Sequence, residues 1–300
     1  MRRNLLFAFA IALVAYCYGA YSFAYRTFPI HLVGGVWRFI LPDRGIPEPP
    51  RHDLAADGSG RQQVDCATIR PDAAILLIMG QSNAANSGTP ESVYKTKNDV
   101  INFNWIDGKC YHAEDPVLGT DGEGGSIWTR LGDELIDSGT YKQVVLVDIA
   151  VSGTPIRAWA GADGPTRHAV EAAAALRGFG RRFTHVLWHQ GESDWQTPGD
   201  IYIRLFHTMA EYLRDNGIDA PIFVAQTTLC KGRRVPEIQK AQNQLPATMD
   251  NVFAGANADE VDRLRDRQDD LCHFKTTGLV QLARLWRDAI VGPRHAAAGF

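Results

Sequence analysis

The stretch AAILLIMGQSNAANSG, Ala73 to Gly88, decides how the chain reads. An unbroken apolar run to Met79 meets Gly80 and then breaks at once into amides and a hydroxyl. A run that continuous fits a strand buried on both faces better than one with a wet side. Four more runs have the same character: QVVLVDIA from Gln143, THVLWH from Thr184, PIFVAQT from Pro221 and NVFAGA from Asn251. Amphipathic segments lie between and after them, at about 126–138, 166–178, 200–216, 234–249 and 276–291. Right-handed crossovers place such helices on both faces of a parallel sheet. The expectation is an α/β fold, a three-layer α/β/α sandwich with a central parallel sheet of about five strands, whose ligands gather at the carboxyl ends of the strands.

Ser82 falls just past the first of those ends. A serine there reads plainly as a helix N-cap. It also reads as a nucleophile on a turn at the rim, where backbone N–H groups can face developing negative charge. Gly-x-Ser-x-Gly, the nucleophile elbow of the α/β-hydrolases, is not matched, because Ala84 stands where the second Gly belongs. Companions for a serine stand at later strand ends. Gly153 in VSGTPIRAW can bring backbone close to a ligand, and the Gln190 amide in HQGESDW can point into the same space. In DDLCHFKTTG, Asp270 precedes His273 by three residues, a spacing that lets one loop set a carboxylate on Nδ1 and leave Nε2 free to take a proton. Singly these are a turn glycine, a loop-bonding amide and a surface histidine; their shared place on one rim is the signal.

The chain has 300 residues, 45% hydrophobic and 22% charged, enough for one sizeable core. A net charge of −3 without a block of Lys and Arg leaves no footprint for nucleic acid. Leu5 to Tyr25 carries no charge over 21 residues. At about 1.5 Å per residue a helix of that length crosses a bilayer core of roughly 30 Å. Arg2 and Arg3 precede it, so it reads as an uncleaved anchor with the rest of the chain outside the cytoplasm, periplasmic or extracellular. A cleaved secretory signal, which would release the protein, is the competing reading, although its apolar core is usually shorter, about 7–15 residues. The expected division is an anchor or signal at 1–27, a juxtamembrane segment and Pro/Gly-rich linker at 28–64, and one folded domain at 65–295.

Cys17 lies in the anchor. Cys66, Cys110, Cys230 and Cys272 remain, an even number that an oxidising compartment can pair, four buried thiols being the alternative. Cys230 follows the fourth strand and Cys272 sits on the Asp-x-x-His loop, so a bridge between them is expected on the shared rim, ahead of Cys66 with Cys110. The spacing of Cys and His shows no metal signature.

With these blocks in order, the sequence resembles the SGNH hydrolases, whose sheet is flavodoxin-like, and within them the sialate O-acetylesterase-like carbohydrate esterases. Gly80-Gln81-Ser82-Asn83 matches their GQSN block, Gly153 in SGTPIRAW their second, His189 to Asp194 their HQGESD block, and Asp270 with His273 their final Asp-x-x-His. The resemblance covers about Ile75 to Gly278. It implies a catalytic triad of Ser82, His273 and Asp270, and an oxyanion hole made of the Ser82 and Gly153 N–H groups and the Gln190 side chain. Cys272, directly before the histidine, departs from the commoner small or apolar residue, which favours its being tied to Cys230.

The resemblance further implies a serine esterase that removes acetyl groups from a carbohydrate through an acyl-enzyme, with no cofactor and no metal. Asn83, Arg157, Trp159 and Glu192 are candidates to touch the sugar, Trp159 as a flat face and Arg157 as a donor; a core Trp159 and a solvated Arg157 are the plain alternative. Other readings are a lipid or aryl esterase, a glycan O-acetyltransferase, and, from another class, a membrane-tethered carbohydrate-binding module without turnover.

Overall fold

The computed structural model describes Tyr16 and residues 54–292. Apart from Tyr16, the anchor at Leu5 to Tyr25, with Cys17 in it, and most of the linker therefore lie outside the described residues. Among the described residues no helix is long and apolar enough to cross a membrane. The chain divides into two compact units, Met1–Arg51 and His52–Phe300, and the second carries the fold described below.

Eight strands form one sheet: β1 (Gln63–Val64), β2 (Ala74–Gly80), β3 (Val100–Asn104), β4 (Lys109–His112), β5 (Val144–Asp148), β6 (His185–His189), β7 (Ile222–Gln226) and β8 (Val252–Asn257). Their spatial order is β1-β4-β3-β5-β2-β6-β7-β8. From β3 to β8 each neighbouring pair is parallel, while β4 and β1 add an antiparallel edge. The five expected strands are all present, and the estimate of about five is corrected to eight. The extra strands escape periodicity because they are short, and β1 and β3 carry amides. Asn102 is buried inside β3, its amide satisfied by the N–H and C=O of Leu118.

Six helices cover the sheet: α1 (Ile127–Asp137), α2 (Ile156–Trp159), α3 (Thr166–Gly178), α4 (Gly199–Asp215), α5 (Pro236–Thr248) and α6 (Thr276–Val291). The alternation along β2 shows the layers. Ile75, Leu77 and Met79 pack with Trp188, Ala169 and Phe206, whereas Ala74, Leu76 and Ile78 pack with Trp128, Leu187 and Trp286. Both faces of β2 are thus dry, as its unbroken apolar sequence requires. Truncating a side chain such as Leu77 to Ala would cost about 2–5 kcal/mol.

The last residues of the stretch read as linker belong to the fold. Ala55 exchanges backbone hydrogen bonds with Thr120 and Gly119, and β1 pairs with β4. That pairing sets Val64 opposite Cys110 and brings Cys66 into a disulfide with Cys110, the pairing placed second from sequence.

Candidate active site

Ser82 stands where the sheet ends and no helix begins. Gly80 closes β2 with φ +144, and a Cβ there would lie 2.1 Å from the His189 carbonyl oxygen, so only glycine lets β2 and β6 stay this close. Gln81 N–H donates to that carbonyl, and the chain then turns through Ala84 N–H and Ala85 N–H, both donating to Gln81 O. The helix-cap reading of Ser82 therefore fails. Its Oγ lies 2.9 Å from Nε2 of His273.

His273 and Asp270 come from the loop between β8 and α6. Asp270 Oδ2 lies 2.6 Å from His273 Nδ1, while its Oδ1 accepts the N–H groups of Cys272 and His273 at 2.9 and 3.1 Å. Partial burial works against the Asp270 carboxylate, but those two N–H bonds and the His273 ring outweigh it and hold the carboxyl below its ordinary range. A charged Asp270 fixes the proton on Nδ1 and leaves Nε2 as the acceptor facing serine.

The loop is braced from beneath. Cys272 is bridged to Cys230, with Cα atoms 4.0 Å apart. Arg267 is buried and stacks on the Phe274 ring, and its guanidinium donates to the carbonyls of Ala258, Val261, Leu229 and Cys272. Asn83 Nδ2 donates to Cys272 O and to Glu192 Oε1, which also accepts from Thr227 Oγ1.

On the other side of Ser82, Gly153 follows β5 with φ +71, a left-handed conformation that suits glycine. Among the described residues neither Ser82 N–H nor Gly153 N–H has a hydrogen-bond acceptor, so both remain available to a ligand. Asp121 holds this loop, accepting Ser152 N–H at 3.0 Å and Ser152 Oγ at 2.8 Å. Asp194 holds it again one turn later, accepting Ile156 N–H at 2.8 Å. Burial drives the Asp194 carboxyl upward, against hydrogen bonds from Thr197, Gln190 and Ile156 and the nearby Arg157 cation.

A family model described as carbohydrate esterase, sialic acid-specific acetylesterase matches residues 72–291. The chain belongs to this family. It is accordingly a carboxylic ester hydrolase, which sets aside the reading as a binding module without turnover. No curated protein matches the sequence significantly. Among solved structures, a protein from Arabidopsis thaliana is 20% identical with a TM-score of 0.60 over 74% of this chain and 99% of its own. NanS is 16% identical with a TM-score of 0.54, over 74% and 98%. A carbohydrate acetylesterase from Xanthomonas citri is 15% identical with a TM-score of 0.51, over 76% and 57%. At these identities the likeness establishes the fold.

The remaining expected residues divide between buried positions and one exposed one, Arg157. Gln190 is fully buried, and its Nε2 faces Thr154 O, Asp194 Oδ2 and Gln81 Oε1, three acceptors for two hydrogens. These contacts tie Gln190 to the Gly153 loop and to the Ser82 turn, and its Oε1 is buried without a hydrogen-bond partner among the described residues. Asn83 and Glu192 are buried and hold the His273 loop. Trp159 is 0% exposed, packed on Trp188 with its indole N–H donating to Thr154 Oγ1, and so belongs to the core. Arg157 is exposed. Sequence reasoning missed Gln81, Asp121, Asp194 and Arg267, all buried, whose work is to hold loops together through backbone groups and which no spacing rule reveals.

Proposed function

We propose that the protein is a serine esterase that removes acetyl groups from a carbohydrate by way of an acyl-enzyme. The observation that carries this reading is the Ser82 Oγ to His273 Nε2 distance of 2.9 Å in line with Asp270, beside two N–H groups that have no acceptor among the described residues. Ser82 Oγ attacks the ester carbonyl as Nε2 takes its proton. The carbonyl oxygen, now negative, accepts from Ser82 N–H and Gly153 N–H; one such donor is typically worth about 10²- to 10³-fold in rate. His273 returns the proton to the departing sugar hydroxyl, and the acetyl group stays on Ser82. Water then gives a proton to Nε2 and attacks the acyl carbonyl, releasing acetate and restoring the serine.

Family membership supports a carbohydrate ester as substrate. Acetate release from a panel of O-acetylated sugars and glycans, run beside a long-chain acyl ester and an aryl ester, tests the substrate class. The acetylated sugars are expected to be preferred; preference for the long-chain ester would overturn the reading. Leu5 to Tyr25 is proposed to tether this activity to a membrane with the esterase domain outside the cytoplasm, where disulfides form.

A further inference from the structure

Six tryptophans lie in the described residues. Trp128, Trp159, Trp188 and Trp286 are fully buried, and Trp105 is half-buried with its indole N–H donating to the carbonyls of Gly119 and Asp148. Trp195 is 55% exposed. A side chain this large left in water forgoes about 25 cal/mol for every Å² it fails to bury, and Trp195 lies on the segment that follows β6, whose His189 pairs with Gly80 next to the Ser82 turn.

The segment that carries Trp195 is built into the site. It leaves β6 beside the Ser82 turn, and Gln81 Oε1 accepts Ser193 N–H at 3.0 Å. Asp194 N–H donates to Gly191 O, and Thr197 donates to Asp194 through both its N–H and its Oγ1, so the backbone on both sides of Trp195 is fixed. Asp194 Oδ2 also accepts Ile156 N–H, which joins this segment to the first turn of α2, where Arg157 is exposed. Among the described residues Arg157 makes no ion pair or hydrogen bond, yet it lies close enough to Asp194 to act on its carboxyl. One buried carboxylate thus anchors an exposed indole and an unpaired guanidinium on adjoining loops, immediately beyond Gly153 and Gln190.

We propose that Trp195 and Arg157 form the sugar-recognition surface of this esterase, the indole taking the apolar face of the sugar ring and the guanidinium an oxygen of the same sugar. A pyranose presents a face of C–H groups whose slight positive charge complements the negative face of an aromatic ring. The guanidinium fork offers five donors to a carboxylate or to hydroxyls. Trp195 replaces Trp159, which the core has claimed. The inference rests on the proposed function and adds to it the residues that select the substrate.

The test compares an O-acetylated sugar with ethyl acetate, an ester that has the same acyl group and no ring. For Trp195→Ala, kcat/KM toward the sugar is expected to fall about 10- to 100-fold, mainly through KM, with ethyl acetate turnover unchanged within about two-fold. Trp195→Phe should recover most of the loss. Arg157→Gln should lower kcat/KM for sugars several-fold and spare ethyl acetate; loss confined to an acetylated acidic sugar identifies a carboxylate partner, and equal loss on an acetylated neutral sugar identifies a hydroxyl. If Trp195→Ala leaves the sugar-to-ethyl acetate ratio unchanged while Ser82→Ala abolishes both activities, this inference is wrong and the serine mechanism stands. Retained hydrolysis in Ser82→Ala would instead overturn the mechanism itself.

Discussion

Ser82 and His273 are 191 residues apart in the chain and 2.9 Å apart in space, joined across the carboxyl end of the sheet. The contact depends on two turns held independently, one by the close approach of Gly80 to His189 and the other by the disulfide and Arg267 beneath Cys272. Each support can be removed separately.

The Cys230–Cys272 bridge spans 42 residues, a loop for which chain entropy gives about 4 kcal/mol of stabilisation. Replacing both cysteines with Ala is expected to lower the unfolding free energy by up to that amount and to reduce kcat, because the Asp270–His273 loop loses its covalent tie. Non-reducing peptide mapping checks the bridge: Cys230 and Cys272 both alkylatable after denaturation without reductant would show it absent.

Asp121 touches no reacting atom but holds Ser152, the neighbour of Gly153. Asp121→Ala is expected to lower kcat about 10- to 100-fold with a smaller change in KM, a part of what a whole oxyanion donor is worth. Asp121→Asn keeps an oxygen acceptor and should restore much of the rate. Equal kinetics in parent and Asp121→Ala would remove Asp121 from the account.

The sequence carried the parallel strands and the triad, and the reasons differ. Strands β2, β5, β6, β7 and β8 are apolar on both faces, so their runs needed no partner to be read, and Asp270 with His273 lie three residues apart on one loop. The β3–β4 hairpin was legible in the Asp107-Gly108 pair, a strong turn signal, with Gly108 at φ +70, but the amides of β3 and the shortness of β4 hid it. The choice between Trp159 and Trp195 was not legible. Helix α2 has only four residues, too few for a periodicity to mark its buried side, and Trp159 is buried by Trp188, a contact between distant segments. The contact of the Gln190 amide with Asp194 was likewise not legible.

His189 is buried between Trp128 and Trp286, and burial, aided by the Arg267 cation, lowers its pKa to about 3. The folded state keeps this ring neutral, while the unfolded chain takes up a proton below about pH 6.5. Its contribution to stability is therefore complete above that pH and lost as pH falls toward 3. Against His189→Leu, the parent is expected to lose about 1.4 kcal/mol of relative stability per pH unit between pH 6 and 4. Denaturant unfolding of both proteins across that range measures it; a constant difference would mean that the ring is protonated in the fold.

The proposed anchor at Leu5 to Tyr25 has a direct consequence. The full chain should sediment with membranes, resist carbonate and high salt, and expose its esterase domain to protease added outside the cytoplasm. A soluble mature form starting after about Ala20 would identify a cleaved signal.

The central claim is that Ser82 is the nucleophile. A fluorophosphonate probe followed by peptide mass spectrometry, with acetate release measured on parent and Ser82→Ala, addresses it most directly. The expected result is a single adduct on Ser82 and loss of several orders of magnitude in turnover for the variant, because the triad acts as a unit. Ester hydrolysis by Ser82→Ala within a few-fold of the parent, or an adduct on another residue, would contradict it.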